Sequence, residues 1–444
     1  MGVRFDTLYG YTPAQDLPGA PDEPNPWGGF ERTNEWLGER SYDRREGTPN
    51  WKDINPRVGV AYDVFGNGRT ALKYSIGRYV AKIGTEITNA NNPIVRSVNS
   101  VNRSWNDANG NYVPDCDLGD FTANLECGGI SNKNFGANNP NAVRWDPAVL
   151  NGLRDSNWDM SAEIQQELAD GLSVTVGYYF NNGGYNQQTN SKNRVTDNTA
   201  VGTADYDEYC VTAPVDSRLP GGGGNEICGL YDIKPSSFGN VDSYFTQSQN
   251  FGDVVMANHF FNATFDGRLP NGIQFGGGVD TGTSSTERCF VVDSPQELLY
   301  CNDSTPFSAQ TQMKAFGSVP LPAGFLVSFA YQNLSGPSYD ANMLYSSAQI
   351  APSLGRALSG GGGYRSVPLV APSTLFEDRI TRLDFRASKI INYNRFRFQI
   401  NFDAYNMFNS SSVQTVNSAY GSRWGNPNSI IDPRIIEIGG QIDF

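Results

Sequence analysis

Glu437-Ile438-Gly439-Gly440-Gln441-Ile442-Asp443-Phe444 closes the 444-residue chain, and its apolar residues alternate with polar ones up to a terminal aromatic. Side chains that switch faces at every residue belong to a β-strand whose two sides meet different surroundings. Working back from this ending, Phe396, Phe398, Ile400, Phe402 and Ala404 alternate with Arg397, Gln399, Asn401, Asp403 and Tyr405. Across a tight turn lies Thr381 to Ile390, where Leu383, Phe385 and Ala387 oppose Arg382, Asp384, Arg386 and Ser388. One face of this hairpin is apolar and the other strongly charged.

The pattern repeats toward the N-terminus. Val58, Val60, Tyr62 and Val64 precede Gly66-Asn67-Gly68, and Leu72, Tyr74 and Ile76 follow it. Met160, Ala162, Ile164 and Leu168 lead to Asp170-Gly171, and Leu172, Val174, Val176, Tyr178 and Phe180 lead away. Further pairs flank Pro270-Asn271-Gly272 and Pro320 to Gly324. The reading is all-β, with about a dozen strands.

The connections sort by length. Short turns at 66–69, 169–171, 269–272, 320–324 and 391–395 separate long Gly-, Asn- and Asp-rich stretches at 11–54, 81–157, 181–253, 284–310, 335–379 and 407–433. An antiparallel transmembrane β-barrel has this organisation, with short periplasmic turns and long extracellular loops. A soluble sandwich has no reason to sort its loops this way.

Composition agrees. Charged residues are only 18% while Gly (48), Tyr (22) and Phe (25) are abundant, unlike a soluble helical enzyme. No stretch approaches the roughly 18 apolar residues of a spanning helix, whereas barrel strands of about 10 alternating residues are compatible with the mean hydropathy of −0.45. A net charge of −13 argues against nucleic acid as a partner. Met1 is followed by Gly-Val-Arg-Phe-Asp, already strand-like, so either targeting is unconventional or the N-terminus is missing.

Six cysteines form three close pairs, Cys116 with Cys127, Cys210 with Cys228 and Cys289 with Cys301, with no CxxC. The even count reads as loop disulfides in an oxidising compartment rather than zinc ligands, the alternative being free thiols. All six fall in long loops, and the chain end fixes the polarity, so all six are expected outside the cell.

The ending resembles the C-terminal insertion signal of outer-membrane barrels: Glu437 fits its polar position, Gly439 its glycine, and Ile442 and Phe444 its hydrophobic pair. The resemblance implies recognition by the barrel-assembly machinery, which pairs with an exposed edge strand. Asn55-Pro56-Arg57-Val58-Gly59-Val60-Ala61-Tyr62-Asp63 and Asn401-Phe402-Asp403-Ala404-Tyr405-Asn406-Met407-Phe408-Asn409 resemble the barrel of a TonB-dependent receptor of the Oar-like group, whose members carry a carboxypeptidase-regulatory-like domain. The resemblance spans essentially the whole chain. It implies that residues 1–444 are a single partial domain, the C-terminal half of a barrel of roughly 22 strands, with residues 3–10 near the parent's middle and with the plug and N-terminal strands absent. The implied function is ligand binding in the loops and energised uptake, with the TonB complex reached only through the missing plug. This chain alone is then expected neither to transport nor to act as an enzyme. Siderophore, cobalamin, oligosaccharide, peptide and secreted protein all suit the polar, acidic loops. The alternatives are a passive porin-like channel and a secreted β-rich adhesin or glycan-binding module.

Asp107, Asn109, Asn111, Asp115 and Asp117 offer oxygens at alternating positions around Gly110, and resemble calcium loops of the EF-hand and thrombospondin-repeat type. Position 12 is Leu118 rather than Glu, so an Asn/Asp-rich turn without metal stands beside the calcium reading. No other cofactor is expected. His259 is the only histidine and lies beside Phe260 and Phe261, which favours a packed or interfacial role over a catalytic base. The runs Gly221–Gly224 and Gly360–Gly363 lack the Lys-Ser/Thr of a phosphate loop and read as loop tips.

Overall fold

The computed structural model describes residues 1–17, 37–152, 154–183 and 194–444; parts of three long connections, 18–36, 153 and 184–193, lie outside the described residues. Twelve long strands form the sheet: β1 (Gly2–Thr12), β2 (Arg45–Asp63), β3 (Thr70–Val80), β4 (Ser156–Ala169), β5 (Leu172–Asn181), β6 (Val255–Arg268), β7 (Gln274–Glu287), β8 (Gln312–Leu321), β9 (Phe325–Leu334), β10 (Ile380–Tyr393), β11 (Phe396–Tyr405) and β12 (Ile435–Asp443). Each pairs antiparallel with its sequence neighbour, and the short strand Asn302–Ser304 adds to β7 to make a 13-stranded sheet. Sequential antiparallel pairing needs only hairpins, and the five short turns supply them at one end of the sheet.

Local chemistry explains the turns. After β2, the Asp63 carboxylate accepts the N–H groups of Gly66 at 3.0 Å and Gly68 at 2.7 Å, which closes the turn into β3. Between β4 and β5, Gly171 adopts φ +77°, and a Cβ there would collide with the Arg268 carbonyl.

Register makes the two faces opposite in character. Phe402 of β11 lies between Ala387 of β10 and Ile438 of β12, and Phe398 lies opposite Ile442. On this face Ile54, Val60, Tyr62, Ile400 and Ile438 are all exposed, as they must be where the surroundings are hydrocarbon. On the other face Arg386 and Asp403 form an ion pair, with Arg386 Nη2 3.0 Å from Asp403 Oδ2. There too the Ser388 hydroxyl donates to Asn401 Oδ1 at 2.7 Å, Lys73 Nζ to Gln165 Oε1 at 2.7 Å and the Tyr179 hydroxyl to Glu163 Oε1 at 3.0 Å. Arg382 pairs with Asp384 and Arg397 with Asp443, so the charged wall expected from the sequence is linked across and along strands.

The structure lengthens three strands relative to the sequence reading. The first long connection spans 13–44, not 11–54, because β1 reaches Thr12 and β2 starts at Arg45. Gly47, Pro49 and Pro56 break the hydropathy pattern in that half of β2, yet its register with β1 runs from Arg45 to Arg57 with one irregularity between Tyr9 and Tyr11. At the far end β7 continues to Glu287, past the expected loop start at 284.

Candidate functional site: the long-loop end

The long connections carry the apolar cores of the molecule. One core joins four of them: Tyr209, Val211, Leu219, Ile227 and Leu230 from the β5–β6 connection, Leu299 from β7–β8, Ala341, Tyr345, Ile350, Leu354 and Val367 from β9–β10, and Trp424 from β11–β12. Helix α1 (Ser347–Leu354) shows how such a loop folds. Ser346 Oγ accepts from Gln349 N at 3.3 Å while Gln349 Oε1 accepts from Ser346 N at 2.9 Å, Gly355 closes the helix in the left-handed region, and Ile350 and Leu354 point inward one turn apart. The Tyr345 hydroxyl donates to the Thr212 carbonyl at 2.9 Å and Trp424 Nε1 to the Asp340 carbonyl at 2.8 Å, fastening separate loops together.

Charged knots lock the same loops. Asp232 is 1% exposed at its side chain and receives Arg356 at 2.6 Å, Arg365 at 2.9 Å and the Ser359 N–H at 3.0 Å. Burial pulls its pKa upward, but these bonds outweigh burial and hold the carboxyl below the usual carboxylate range. Arg356 also reaches Asp207 at 2.9 Å. Nearer the chain end, Asp216 accepts from Arg218 at 2.7 Å and from the Tyr420 hydroxyl at 2.8 Å, and both bonds lower its pKa, that of Arg218 most.

A second, smaller core surrounds Trp51 of β2 with Ile87 and Leu150. Pro147–Asn151 forms a short helix whose cap, Asp146, accepts from Ala148 N at 2.9 Å, and Trp51 Nε1 donates to the Val149 carbonyl at 2.9 Å. The buried Arg194–Asp155 ion pair joins the β5–β6 connection to this region.

The three cysteine pairs are bonded as expected: Cys116–Cys127, Cys210–Cys228 and Cys289–Cys301, all in long connections. Among the described residues, Cys210, Glu226 and Cys228 are the one trio of His, Cys, Asp or Glu ligand atoms close enough to share an ion, and both cysteines are spent in a disulfide. Asp107, Asn109, Asn111 and Asp115 do converge. The Asp107 carboxylate accepts from the N–H groups of Gly110 at 2.7 Å, Asn111 at 3.2 Å and Tyr112 at 3.0 Å, and both asparagine amides donate to Asp115. Asn109 Oδ1 and Asn111 Oδ1 accept from backbone N–H groups at 3.0 and 2.8 Å, so the side chains are arranged for turn hydrogen bonding. Asp117 stands apart, accepting from Gly119 N at 2.8 Å.

Glu437, Gly439 and Ile442 pair with Asp403, Asn401 and Phe398; Ile442 and Phe444 are exposed on the apolar side. His259 lies on that side of β6, with Nδ1 2.8 Å from the Tyr178 hydroxyl and its ring 5.0 Å from Phe180, the packed role expected of it. The loop core escaped sequence reading because its members are far apart in the chain and follow no period.

Comparison with known proteins places this architecture. A family model described as an outer membrane beta barrel domain matches residues 1–275, more than half of the chain. No curated protein matches. Among solved structures, the outer membrane transporter YddB from Escherichia coli is 9% identical with a TM-score of 0.41, covering 91% of this chain and 44% of its own. P. aeruginosa FpvA bound to heterologous pyoverdines is 11% identical with a TM-score of 0.37, at 89% and 34% coverage. The FrpB iron transporter from Neisseria meningitidis is 10% identical with a TM-score of 0.36, at 88% and 39% coverage. This chain spans less than half the length of each of these. With its alternating faces, its sorted loops and a family match over more than half of its length, the chain belongs to the outer-membrane β-barrel family and is a protein of the bacterial outer membrane.

Proposed function

We propose that the chain forms part of the barrel wall of a TonB-dependent receptor of the Oar-like group, one that binds a ligand through its extracellular loops and imports it with energy passed through a plug. The observation that carries this reading is the packed loop dome. Four connections sharing one core make a shaped recognition surface at the outer end, for which an unselective pore has no use. Ligand recognition is assigned to 81–157 and 181–253, the longest loops. β1 and β12 end the sheet, and their outer edges need partners in hydrocarbon. The whole receptor supplies those partners as further strands, roughly 22 in all.

The sequence encoded immediately 5′ of Met1 tests the assignment: a plug domain and a TonB box are expected there. The complete gene product, reconstituted in planar bilayers, is expected to pass no steady ion current. Continuous conductance steps, or an upstream region without a plug, would establish a porin-like channel instead.

A further inference from the structure

The lobe stapled by Cys116–Cys127 belongs to neither loop core. It rides on a two-stranded ribbon, Arg103–Trp105 with Cys127–Ile130, and Glu126 gathers it by accepting from Trp105 Nε1 at 3.2 Å, Ala108 N at 2.9 Å and Asp115 N at 3.1 Å. Large apolar side chains stand in solvent on it: Tyr112 is 87% exposed, Leu125 88%, Val113 55% and Trp105 42%. Tyr112 and Leu125 also hold left-handed backbone, φ 61° and 45°, a conformation disfavoured for bulky residues. These four sit above the membrane, in a long loop, so lipid does not account for their exposure. Bulky residues kept both exposed and strained point to an interaction surface.

Charge states the kind of partner. Residues 103–127 contain Asp107, Asp115, Asp117, Asp120 and Glu126 against one cation, Arg103. The Arg103 guanidinium is committed to the carbonyls of Gly128 at 2.6 Å, Thr122 at 2.6 Å and Asp117 at 3.3 Å. Among the described residues none of the five carboxylates joins an ion pair. Such a surface repels anionic lipid and nucleic acid and attracts a cationic chain.

We propose that this lobe docks a cationic extracellular polypeptide in which apolar side chains stand among the lysines or arginines. The proposal rests on the receptor reading only in taking these loops as the outward-facing recognition surface. Its test measures binding and needs no transport, so failure here leaves the conductance and upstream-sequence tests standing, and the reverse also holds.

The probe is fluorescein-labelled Lys-Lys-Trp-Lys-Lys, titrated with the refolded complete gene product in fluorescence polarisation. The comparison peptide is Glu-Glu-Trp-Glu-Glu. Saturable binding of the basic peptide alone is expected, weakening as salt rises. Tyr112→Ser/Leu125→Ser and Asp117→Asn/Asp120→Asn should each weaken it about tenfold. Thiol counting without reductant and heat-modifiable gel migration check that both variants are folded and disulfide-bonded. Equal affinity for the acidic peptide, or unchanged affinity in both folded variants, overturns the proposal. So does calcium that raises the melting temperature and displaces the peptide with the same affinity in wild type and in Tyr112→Ser/Leu125→Ser, since the acids would then serve a metal.

Discussion

At the scale of single residues the dome depends on carboxylates in opposite circumstances. Asp232 is buried but fully paired, so removing Arg356 leaves Arg365 as its one cation and leaves Asp207 only the longer ion pair with Lys234 at 3.8 Å. Arg356→Ala is expected to cost about 2–4 kcal/mol in dome stability, and Arg356→Lys, which lacks the planar fork that reaches both aspartates, somewhat less. Limited proteolysis is the measurement: cleavage within 335–379 should accelerate while the heat-modifiable gel shift of the barrel persists. Asp293 is the contrary case. Burial first, and then the neighbouring Asp197 and Glu297 carboxylates, raise its pKa to about 6, against the Asn198 N–H that it accepts at 2.8 Å. Asp197 is itself raised, by burial and by Asp242, with Arg144 opposing. A folded pKa above the unfolded value means that the folded dome holds the proton more tightly. This stability is therefore complete below about pH 4 and lost as pH rises through about 6. Asp293→Asn should flatten that slope, on the order of 1 kcal/mol after solvent screening, in dome melting followed between pH 4 and 7. An unchanged slope would remove Asp293 as its source.

At the scale of elements, the hairpins were legible because their information is local. Alternation over about 10 residues and a Gly-bearing turn specify strand, partner and register together. Gly171 shows what such a turn requires: Gly171→Val must abandon φ +77° or collide with the Arg268 carbonyl. A loss of about 2–3 kcal/mol is expected in urea unfolding of the refolded protein. Gly439, in the ending that resembles an insertion signal, has open space around its Cβ position. Gly439→Val should leave urea stability within about 0.5 kcal/mol of wild type, so any defect it causes in cells would lie in assembly rather than in the folded sheet. The outer half of β2 was hidden for the opposite reason. Thr48-Pro49-Asn50 lies within the stretch 11–54 that reads as loop, and the strand there is specified by pairing with β1 and by Trp51 entering the small core, neither of which is local. The Asn/Asp-rich stretch 107–117 was legible as a turn-forming segment, while the partner of each oxygen depended on Glu126 and the Cys116–Cys127 staple.

At the scale of the whole molecule, two solvents divide the chain. The barrel face obeys hydrocarbon and the dome obeys water, which is why the sheet could be read from period and the dome could not: Leu230, Ile350 and Trp424 meet only after three separate excursions from the sheet. The division makes a prediction that separates this architecture from any soluble β-protein. Phe402 lies mid-strand on the apolar face, 42% exposed and opposite Ala387 and Ile438, whereas Gln399, on the same strand, donates inward to Asn401 at 2.9 Å. In water, arginine at either position would cost little. In a bilayer, Phe402→Arg must place a guanidinium in hydrocarbon and is expected to cost about 2–4 kcal/mol, while Gln399→Arg, facing a polar interior already lined by Arg386 and Arg397, should cost less than about 1 kcal/mol. The measurement is guanidinium-induced unfolding of the complete gene product folded into lipid vesicles, followed by tryptophan fluorescence. Equal penalties for the two substitutions would show that the faces do not meet different solvents. The paired charges of β10 and β11 would then have to be explained as surface ion pairs rather than as the wall of a lumen.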